Sequence, residues 1–204
     1  MKKIKAYLGG NMTNEGAKLL RLKEQEKLKG VEGLQLYNPV TNDEINDKTK
    51  KPTAEDIFEQ DTKAILESDV LIFDATGTPG TTAEIGIAWG VNYVLTLIMD
   101  ALIKAEEAAS KADKEEAPEV FVDTVLFGIV NIFKSIPLKK VYWQNSDIRN
   151  VPVTETGLRR SYGFNAYLLG LLLDLAGEDK TFDEIVESLK KDVPKMIKEK
   201  EEDR

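Results

Sequence analysis

The stretch SDVLIFDATGTPGTTAEIGIAWG, residues 68–90, carries the clearest signal for the fold. Four consecutive apolar residues lie between Asp69 and Asp74, a pattern typical of a strand buried on both faces of a parallel sheet. A loop rich in glycine, proline and threonine follows at residues 75–80, and helical periodicity returns at residues 82–89. A strand, a loop and a helix in this order form the repeating unit of an α/β protein.

The same alternation extends through the first part of the chain, up to Gly90, and returns near its end. The predicted strands cover residues 4–8, 34–37, 70–73 and 140–143, and the predicted helices cover residues 13–29, 53–67, 82–89, 162–175 and 182–200. Thr53 and Thr181 stand where helix N-caps are expected, and the polar residues 41–51 predict an exposed loop. The sequence therefore predicts an α/β fold with a doubly wound, flavodoxin-like or Rossmann-like parallel sheet and helices on both faces.

The regular alternation stops after Gly90. Residues 91–138 hold two apolar runs, 91–103 and 120–133, which are separated by a charged run rich in alanine, lysine and glutamate. This pattern predicts a helical hairpin inserted into a single domain of residues 1–204, packed on that domain or on a partner subunit. A lid over the ligand cleft is the alternative. Each apolar run is interrupted by an aspartate and is short for a bilayer span, so no membrane partner is expected.

Composition excludes several kinds of chemistry. The 204 residues include no cysteine and no histidine, which excludes disulfides, thiolate nucleophiles, Ser-His-Asp triads and zinc sites of the Cys/His type. The zinc-dependent nucleobase deaminases are excluded for the same reason. Catalysis must therefore use carboxylates, lysine, tyrosine, serine or threonine.

Charge and the start of the chain bear on partners and location. The formal net charge of −8 argues against nucleic acid as a partner, because a phosphate backbone requires a basic face. Met1-Lys2-Lys3 leads directly into a strand pattern, with no signal peptide. A cytoplasmic protein is therefore expected.

Three candidate ligand-binding loops follow predicted strands, at residues 9–11, 74–80 and 144–150. Open α/β sheets bind their ligands at the carboxyl ends of the strands. Neither of the first two loops matches a Walker A or dinucleotide-binding pattern, so nucleotide phosphate binding has no motif support. Glu84 has two interpretations. Thr81-x-x-Glu84 is either a capping box, or Glu84 faces the cleft from the first helical turn as a nucleophile that the helix N-terminus keeps ionised.

Three segments, taken in order, resemble the nucleoside 2-deoxyribosyltransferase family. They are Tyr7-Leu8-Gly9-Gly10, the segment DIFEQDTKAILESD at residues 56–69, and Gly80-Thr81-x-x-Glu84-x-Gly86-x-Ala88. The resemblance covers about residues 3–90 and resumes at residues 141–150 and 165–170. It implies a doubly wound α/β domain, a homo-oligomer, no cofactor, no metal, and small-molecule substrates, namely 2'-deoxynucleosides and free nucleobases.

The resemblance also implies a mechanism and its catalytic residues. In this family a carboxylate attacks C1' to form a covalent glycosyl ester, and an incoming base displaces that ester from the same face. The resemblance implies that Glu84 is the nucleophile, that Asp61 contacts the nucleobase and assists its departure, and that Tyr7 orients the nucleophile. On the residues alone, Asp61 could equally be a solvated helix residue, and Tyr7 a half-buried core tyrosine.

Further residues are expected around the sugar. Gly9, Gly10 and Gly80 are expected to leave room for it, and Asp147 and Asn165 to hold its hydroxyls. Each has a structural alternative, because the glycines also suit turns, Asp147 could cap a loop and Asn165 could begin a helix.

One position departs from the family pattern. Many relatives have an aspartate six residues before the nucleophile, and Thr78 occupies that position here, where its hydroxyl could still hydrogen-bond a sugar hydroxyl. Two alternative functions remain open. One is an N-glycoside hydrolase acting on deoxynucleosides or their 5'-monophosphates. A 5'-phosphate would need donors such as arginine near the first loop, and the nearest arginine in the sequence is Arg21. The other alternative is a non-catalytic nucleotide-binding module.

Overall fold

A computed structural model describes residues 2–76, 78–111, 138–147 and 165–202. The chain divides into two compact units, Met1–Ala88 with Lys139–Arg204, and Trp89–Leu138. The first unit contains a four-stranded parallel sheet in the order β2-β1-β3-β4. Its strands are β1, Ile4–Gly9; β2, Leu34–Tyr37; β3, Val70–Asp74; and β4, Lys140–Gln144.

Helices cover both faces of this sheet. They are α1, Glu15–Leu28; α2, Asp43–Asn46; α3, Ala54–Glu67; α4, Pro79–Lys111; α5, Ala166–Ala176; and α6, Phe182–Glu202. Residues of α1 and α6, such as Leu28 and Leu189, pack on one face. Residues of α3, α4 and α5, such as Ile65, Ile85 and Leu172, pack on the other. The predicted doubly wound α/β fold is confirmed.

Local sequence explains the best-predicted elements. All five residues of β3 are buried, because its apolar side chains meet helices on both faces of the sheet. Thr53 caps α3 in a reciprocal capping box with Asp56. Thr181 precedes α6 and makes the same reciprocal bonds with Glu184, so both predicted N-caps are confirmed.

The prediction of an exposed loop at residues 41–51 is wrong. The segment contains the helix α2, which Asn42 caps by accepting a hydrogen bond from the backbone N–H of Glu44. Ile45, an apolar residue within this polar run, is only 3% exposed. Burial of this side chain and the cap both stabilise a helix in a segment whose composition is that of a loop.

Helix α4 is longer than residues 82–89. It begins at Pro79, because proline suits the first turn of a helix, and it continues through Gly90 to Lys111. An interior glycine costs a helix only about 1 kcal/mol, which the leucine- and alanine-rich residues that follow can offset. The Thr81–Glu84 capping box is therefore wrong, since both residues lie inside the helix.

The length of α4 also corrects the expectation that the apolar run at residues 91–103 is short for a bilayer span. The segment Pro79–Lys104, with a mean hydropathy of 1.6, is the one helix of the described residues that is long and apolar enough to cross a membrane. The core helix of a soluble protein can have the same length and hydropathy. The second half of the predicted hairpin, residues 112–137, and the predicted helical residues 162–164 lie outside the described residues.

Candidate functional site

The three predicted catalytic residues come from three elements and lie close together. Tyr7 is on β1, Asp61 on α3 and Glu84 on α4. Burial raises the pKa of Tyr7 well above its usual value, and the charges of Glu84 and Asp61 raise it further. The three side chains therefore belong to one electrostatic cluster.

Glu84 is a carboxyl group that titrates near neutrality. Burial raises its pKa from 4.5 to about 7; the Tyr7 hydroxyl lowers the value and the Asp61 charge raises it. The expectation that the helix N-terminus keeps Glu84 ionised is wrong, because Glu84 lies beyond the first turn of α4 and burial dominates.

Two polar atoms of this cluster lack hydrogen-bond partners. The Tyr7 hydroxyl is close enough to Glu84 to lower its pKa, but the contact does not have the geometry of a hydrogen bond. The Tyr7 hydroxyl and Glu84 Oε2 are therefore both buried and unpaired among the described residues. Such groups are rare in folded proteins and are explained when a ligand completes the site.

The glycines of the first loop have different environments. A Cβ atom at Gly9 would lie 2.8 Å from Glu84 Oε2 and 2.6 Å from Phe73 Cδ1, so only glycine lets β1 approach the carboxylate this closely. A Cβ at Gly10 would lie 1.9 Å from Arg21 Nη1, so the space beside Gly10 holds a guanidinium group. Gly80 is exposed, with nothing within 4 Å of a Cβ there.

Asp61 is held by Tyr37, which the sequence analysis missed. The Tyr37 hydroxyl donates a 2.9 Å hydrogen bond to Asp61 Oδ1. Burial raises the pKa of Asp61, and this hydrogen bond lowers it. The Tyr37 ring stacks on Tyr7, with ring centroids 5.7 Å apart and planes 14° apart. Tyr37 ends β2 opposite Tyr7, so the rule that ligands bind at carboxyl ends of strands could have identified it.

The other predicted residues have mainly local partners. Thr78 donates a 2.8 Å hydrogen bond to Thr81 Oγ1. Asn165 caps α5 by accepting hydrogen bonds from two backbone N–H groups at 2.9 and 3.1 Å. The Asp147 backbone donates a 3.0 Å hydrogen bond to Asn145 Oδ1. The described contacts of Thr78 and Asn165 do not include Tyr7, Asp61 or Glu84, and a sugar-binding role for Thr78 and Asn165 stays a prediction.

A second buried cluster centres on Arg21, which is 1% exposed. Its Nη2 atom lies 2.6 Å from Asp74 Oδ2 and 2.9 Å from Glu24 Oε1. The Ser146 hydroxyl donates to Asp74 at 2.7 Å, and Gln144 donates to Glu24. Burial raises the pKa of Glu24 to about 7, although Arg21 lowers it. Asp74 is thus a structural partner at the carboxyl end of β3.

Asp69 has a similar structural role at the opposite end of the same strand. It accepts a 2.9 Å hydrogen bond from the Lys5 backbone and lies 2.6 Å from Lys200 Nζ.

A cavity of about 430 Å³ lies beside α3 and the edge of the sheet. Tyr37 lines this cavity, but Tyr7, Asp61 and Glu84 do not, so the cavity is not the site that the sequence predicts. Its polar lining residues are Lys5, Gln35, Glu44, Gln60, Lys63, Glu67 and Ser68.

The sequence profile of the nucleoside 2-deoxyribosyltransferases matches residues 6–117, more than half of the chain. The chain belongs to this family. The predicted family is confirmed, and the match spans Tyr7, Asp61 and Glu84. Nucleoside 2-deoxyribosyltransferases are glycosyltransferases that act on nucleosides and nucleobases. A comparison with curated proteins finds no match.

A solved structure supports the fold of this nucleoside 2-deoxyribosyltransferase family member. The chain is similar to a conserved protein from Enterococcus faecalis V583, whose crystal structure aligns with a TM-score of 0.58 at 19% sequence identity. The alignment covers 93% of this chain and 98% of that chain. At this identity the likeness shows the fold alone.

The two buried carboxyl groups predict a specific pH dependence of stability. The pKa values of Glu84 and Glu24 are each raised from 4.5 to about 7, so the folded protein binds these protons more tightly than the unfolded chain. As the pH rises from about 4.5 to about 7, the free energy of unfolding should therefore decrease by roughly 2–3 kcal/mol for each group. Urea denaturation at pH 5 and pH 8 measures the change.

Matched variants separate this contribution from that of other carboxylates. Glu84→Gln and Glu24→Gln should each reduce the loss of stability between pH 5 and pH 8, because neither amide titrates. Glu59→Gln, which replaces an exposed carboxylate on α3, should leave the loss unchanged. An equal pH dependence in all three variants and the unmodified protein would contradict the prediction.

Proposed function

We propose that this protein exchanges the base of 2'-deoxynucleosides through a covalent deoxyribosyl-glutamate intermediate on Glu84, with retention of configuration at C1'. The observation that carries the proposal is the convergence of Glu84, Tyr7 and Asp61 in one partly buried cluster, in which the Tyr7 hydroxyl and Glu84 Oε2 are unpaired. Membership of the nucleoside 2-deoxyribosyltransferase family supports it.

The proposed reaction has two displacements at C1'. In the first, the Glu84 carboxylate attacks C1', the bond to the base nitrogen breaks with its electron pair on the base, and Asp61 supplies a proton to that base. In the second, a nitrogen of the incoming base attacks C1', the ester bond breaks to restore the Glu84 carboxylate, and Asp61 takes up the proton released. Two inversions at the same carbon give retention.

The electrostatics allow the pair to share a proton. Burial raises the pKa of Glu84 to about 7 and also raises the pKa of Asp61, so near neutral pH the two carboxyl groups can hold one proton and one negative charge between them. The proposed reaction uses the state in which the proton is on Asp61. Tyr7, whose pKa is raised well above its usual value, keeps its proton and can donate a hydrogen bond to the Glu84 carboxylate. The steps use only two carboxyl groups and a phenol, so the proposal includes no cofactor or metal.

The proposal extends to partners and location. We propose a cytoplasmic homo-oligomer with small-molecule substrates and without nucleic-acid or membrane partners. The net charge of −8 supports the absence of nucleic acid. Light scattering of the purified protein in detergent-free buffer measures the oligomer, and sedimentation with vesicles tests whether α4 gives membrane binding.

Hydrolysis of 5'-monophosphates is the second candidate, and the surroundings of Arg21 disfavour it. A 5'-phosphate would require a cationic group near the first loop. Arg21 is buried there, and its charge is already offset by Asp74 and Glu24. Nucleosides are therefore favoured over monophosphates. A non-catalytic binding module has no evident need for a nucleophile of raised pKa beside a second acid.

The deciding assay incubates the purified protein with deoxyinosine or thymidine, with and without adenine, and separates the products by chromatography. Deoxyadenosine should appear only when adenine is present. Free base released without adenine, and no exchange product, would establish the hydrolase instead. No turnover of deoxynucleosides or their monophosphates would leave the binding module.

Replacing the proposed acid should slow exchange in a way that depends on the leaving base. Asp61→Asn should lower kcat by about 100-fold for deoxyinosine, because the base then leaves without a proton from the enzyme. The loss should be smaller for a deoxynucleoside with an electron-poor base, which leaves readily as an anion. Glu59→Gln on the same helix serves as the control, and equal losses for both substrates would argue against Asp61 as the acid.

A further inference from the structure

We propose that Tyr37 and Asn42 are positioning residues that hold Asp61 so that its Oδ2 atom presents the proton to the nucleobase. This inference rests on the proposed function. Tyr37 donates to Asp61 Oδ1 at 2.9 Å, and Asn42 Nδ2 donates to the Tyr37 hydroxyl oxygen at 2.8 Å. The loop after β2 would thereby take part in the chemistry.

The direction of these hydrogen bonds is fixed at a backbone group. The N–H of Glu44 can only donate, and it donates to Asn42 Oδ1 at 3.0 Å, which sets the orientation of the Asn42 amide. The Nδ2 atom must then face Tyr37 and Gln60. Its two protons go to the Tyr37 hydroxyl and, at 2.9 Å, to Gln60 Oε1. The amide therefore has no freedom to flip.

The fixed amide in turn orders the tyrosine and the carboxyl group. A phenol has one proton, and because the Tyr37 oxygen accepts from Asn42, that proton points to Asp61 Oδ1. Oδ1 is then an acceptor, so a proton bound by Asp61 belongs on Oδ2. The chain from Glu44 to Asp61 thus selects which carboxyl oxygen acts as the acid.

Packing holds the Tyr37 ring in place. The ring stacks on Tyr7, whose hydroxyl adjoins Glu84, and the two tyrosines are register partners on β1 and β2. The Tyr37 ring that holds Asp61 is therefore fixed by the same pair of strands that carries Tyr7 beside Glu84. A shift of the ring would misplace the acid relative to the bond that breaks.

Three variants test the chain of hydrogen bonds. Tyr37→Phe keeps the stacked ring and removes the hydroxyl. Asn42→Ser keeps an oxygen for the Glu44 N–H and removes the amide donor, whereas Asn42→Asp keeps the cap and replaces the donor with an acceptor. Thr41→Val is the matched control, because the Thr41 hydroxyl donates hydrogen bonds to Asn38 and Gln25 and is not part of the hydrogen-bond series from Glu44 to Asp61.

The expected result is a selective loss of turnover. Tyr37→Phe and Asn42→Ser should lower kcat by about tenfold with KM changed less than about twofold, since Asp61 remains present but poorly oriented. Asn42→Asp should lose more, because it attracts the Tyr37 proton away from Asp61. The limb of the kcat profile that reports Asp61 should move to higher pH in Tyr37→Phe, because the lost hydrogen bond had lowered the pKa of Asp61. Thr41→Val should match the unmodified enzyme.

A measurement without turnover separates this inference from the proposed function. NMR titration of the Asp61 carboxyl carbon should show a higher pKa in Tyr37→Phe and Asn42→Ser than in the unmodified protein and Thr41→Val. If the unmodified protein exchanges no bases, the proposed function fails, while the titration still decides whether Tyr37 and Asn42 control Asp61. An unchanged Asp61 titration, or an equal loss of kcat in Thr41→Val, would overturn the inference.

Discussion

Glu84→Gln is expected to lower the rate of base exchange at least about 1,000-fold, the scale of loss when a covalent nucleophile is removed. The amide has nearly the shape of the carboxyl group and fits against Gly9, but it cannot form the glycosyl ester. Chromatography of the exchange reaction measures the loss. Mass spectrometry of the intact protein, incubated with deoxynucleoside and no acceptor, should find the deoxyribosyl adduct on the unmodified chain and none on the variant.

Stability provides the control for this variant. Because burial raises the pKa of Glu84 to about 7, the ionised group is destabilising above neutral pH, and the neutral glutamine should increase the Tm at pH 8. An inactive variant that is more stable than the parent has lost chemistry and kept its fold. A Glu84→Gln variant that still exchanges bases at close to the parental rate would exclude Glu84 as the nucleophile.

Arg21→Met is expected to destabilise the protein by about 3–5 kcal/mol, as the loss of one partner from a buried ion pair does. The methionine fills much of the space beside Gly10, but Asp74 and Glu24 remain buried without their cation. Urea denaturation at pH 8, where most Glu24 side chains are ionised, measures the effect.

An exposed ion pair at the C-terminal end of the same helix provides the comparison. Lys29 lies 2.5 Å from Glu26, with both side chains more than half exposed, so Lys29→Met should cost less than about 1 kcal/mol. Replacing Glu24 by glutamine in the Arg21→Met background should restore part of the stability, because one uncompensated charge is removed. Equal effects of Arg21→Met and Lys29→Met would contradict the structural role of the cluster.

Much of the fold could be predicted because its signals are local. The strand at residues 34–37 was predicted with its observed bounds, and the caps at Thr53 and Thr181 are decided by side chains three residues away. The end of α4 could not be predicted in this way. Gly90 resembles a helix terminus in sequence, but the residues that follow it continue the helix to Lys111.

The residues of the candidate site also differ in how far the sequence predicts them. A resemblance of ordered motifs predicts Glu84, Asp61 and Tyr7 as site residues, whereas the roles proposed for Tyr37 and Asn42 rest only on tertiary contacts. Asn42 lies in a run of polar residues that has the composition of a loop, and nothing in that run indicates a fixed amide.

Arg21 and Glu24 illustrate the same difficulty on a helix. They are three residues apart, the spacing of an ordinary surface ion pair, yet both are buried. This pair differs from an exposed one because Asp74 of β3 pairs with Arg21, and because Gly10 leaves room for the guanidinium group.

The packing of β1 has a consequence for synthesis of the chain. Ile4 and Leu8 share a core with Leu28 of the first helix, but also with Ile185 and Leu189 of the last. The contact between the earliest strand and the latest helix closes a loop of nearly the whole chain, and such non-local contacts form slowly. A ribosome halted before residue 182 would therefore present a nascent protein whose first strand lacks the cover of the last helix, which leaves Ile4 and Leu8 accessible to a chaperone.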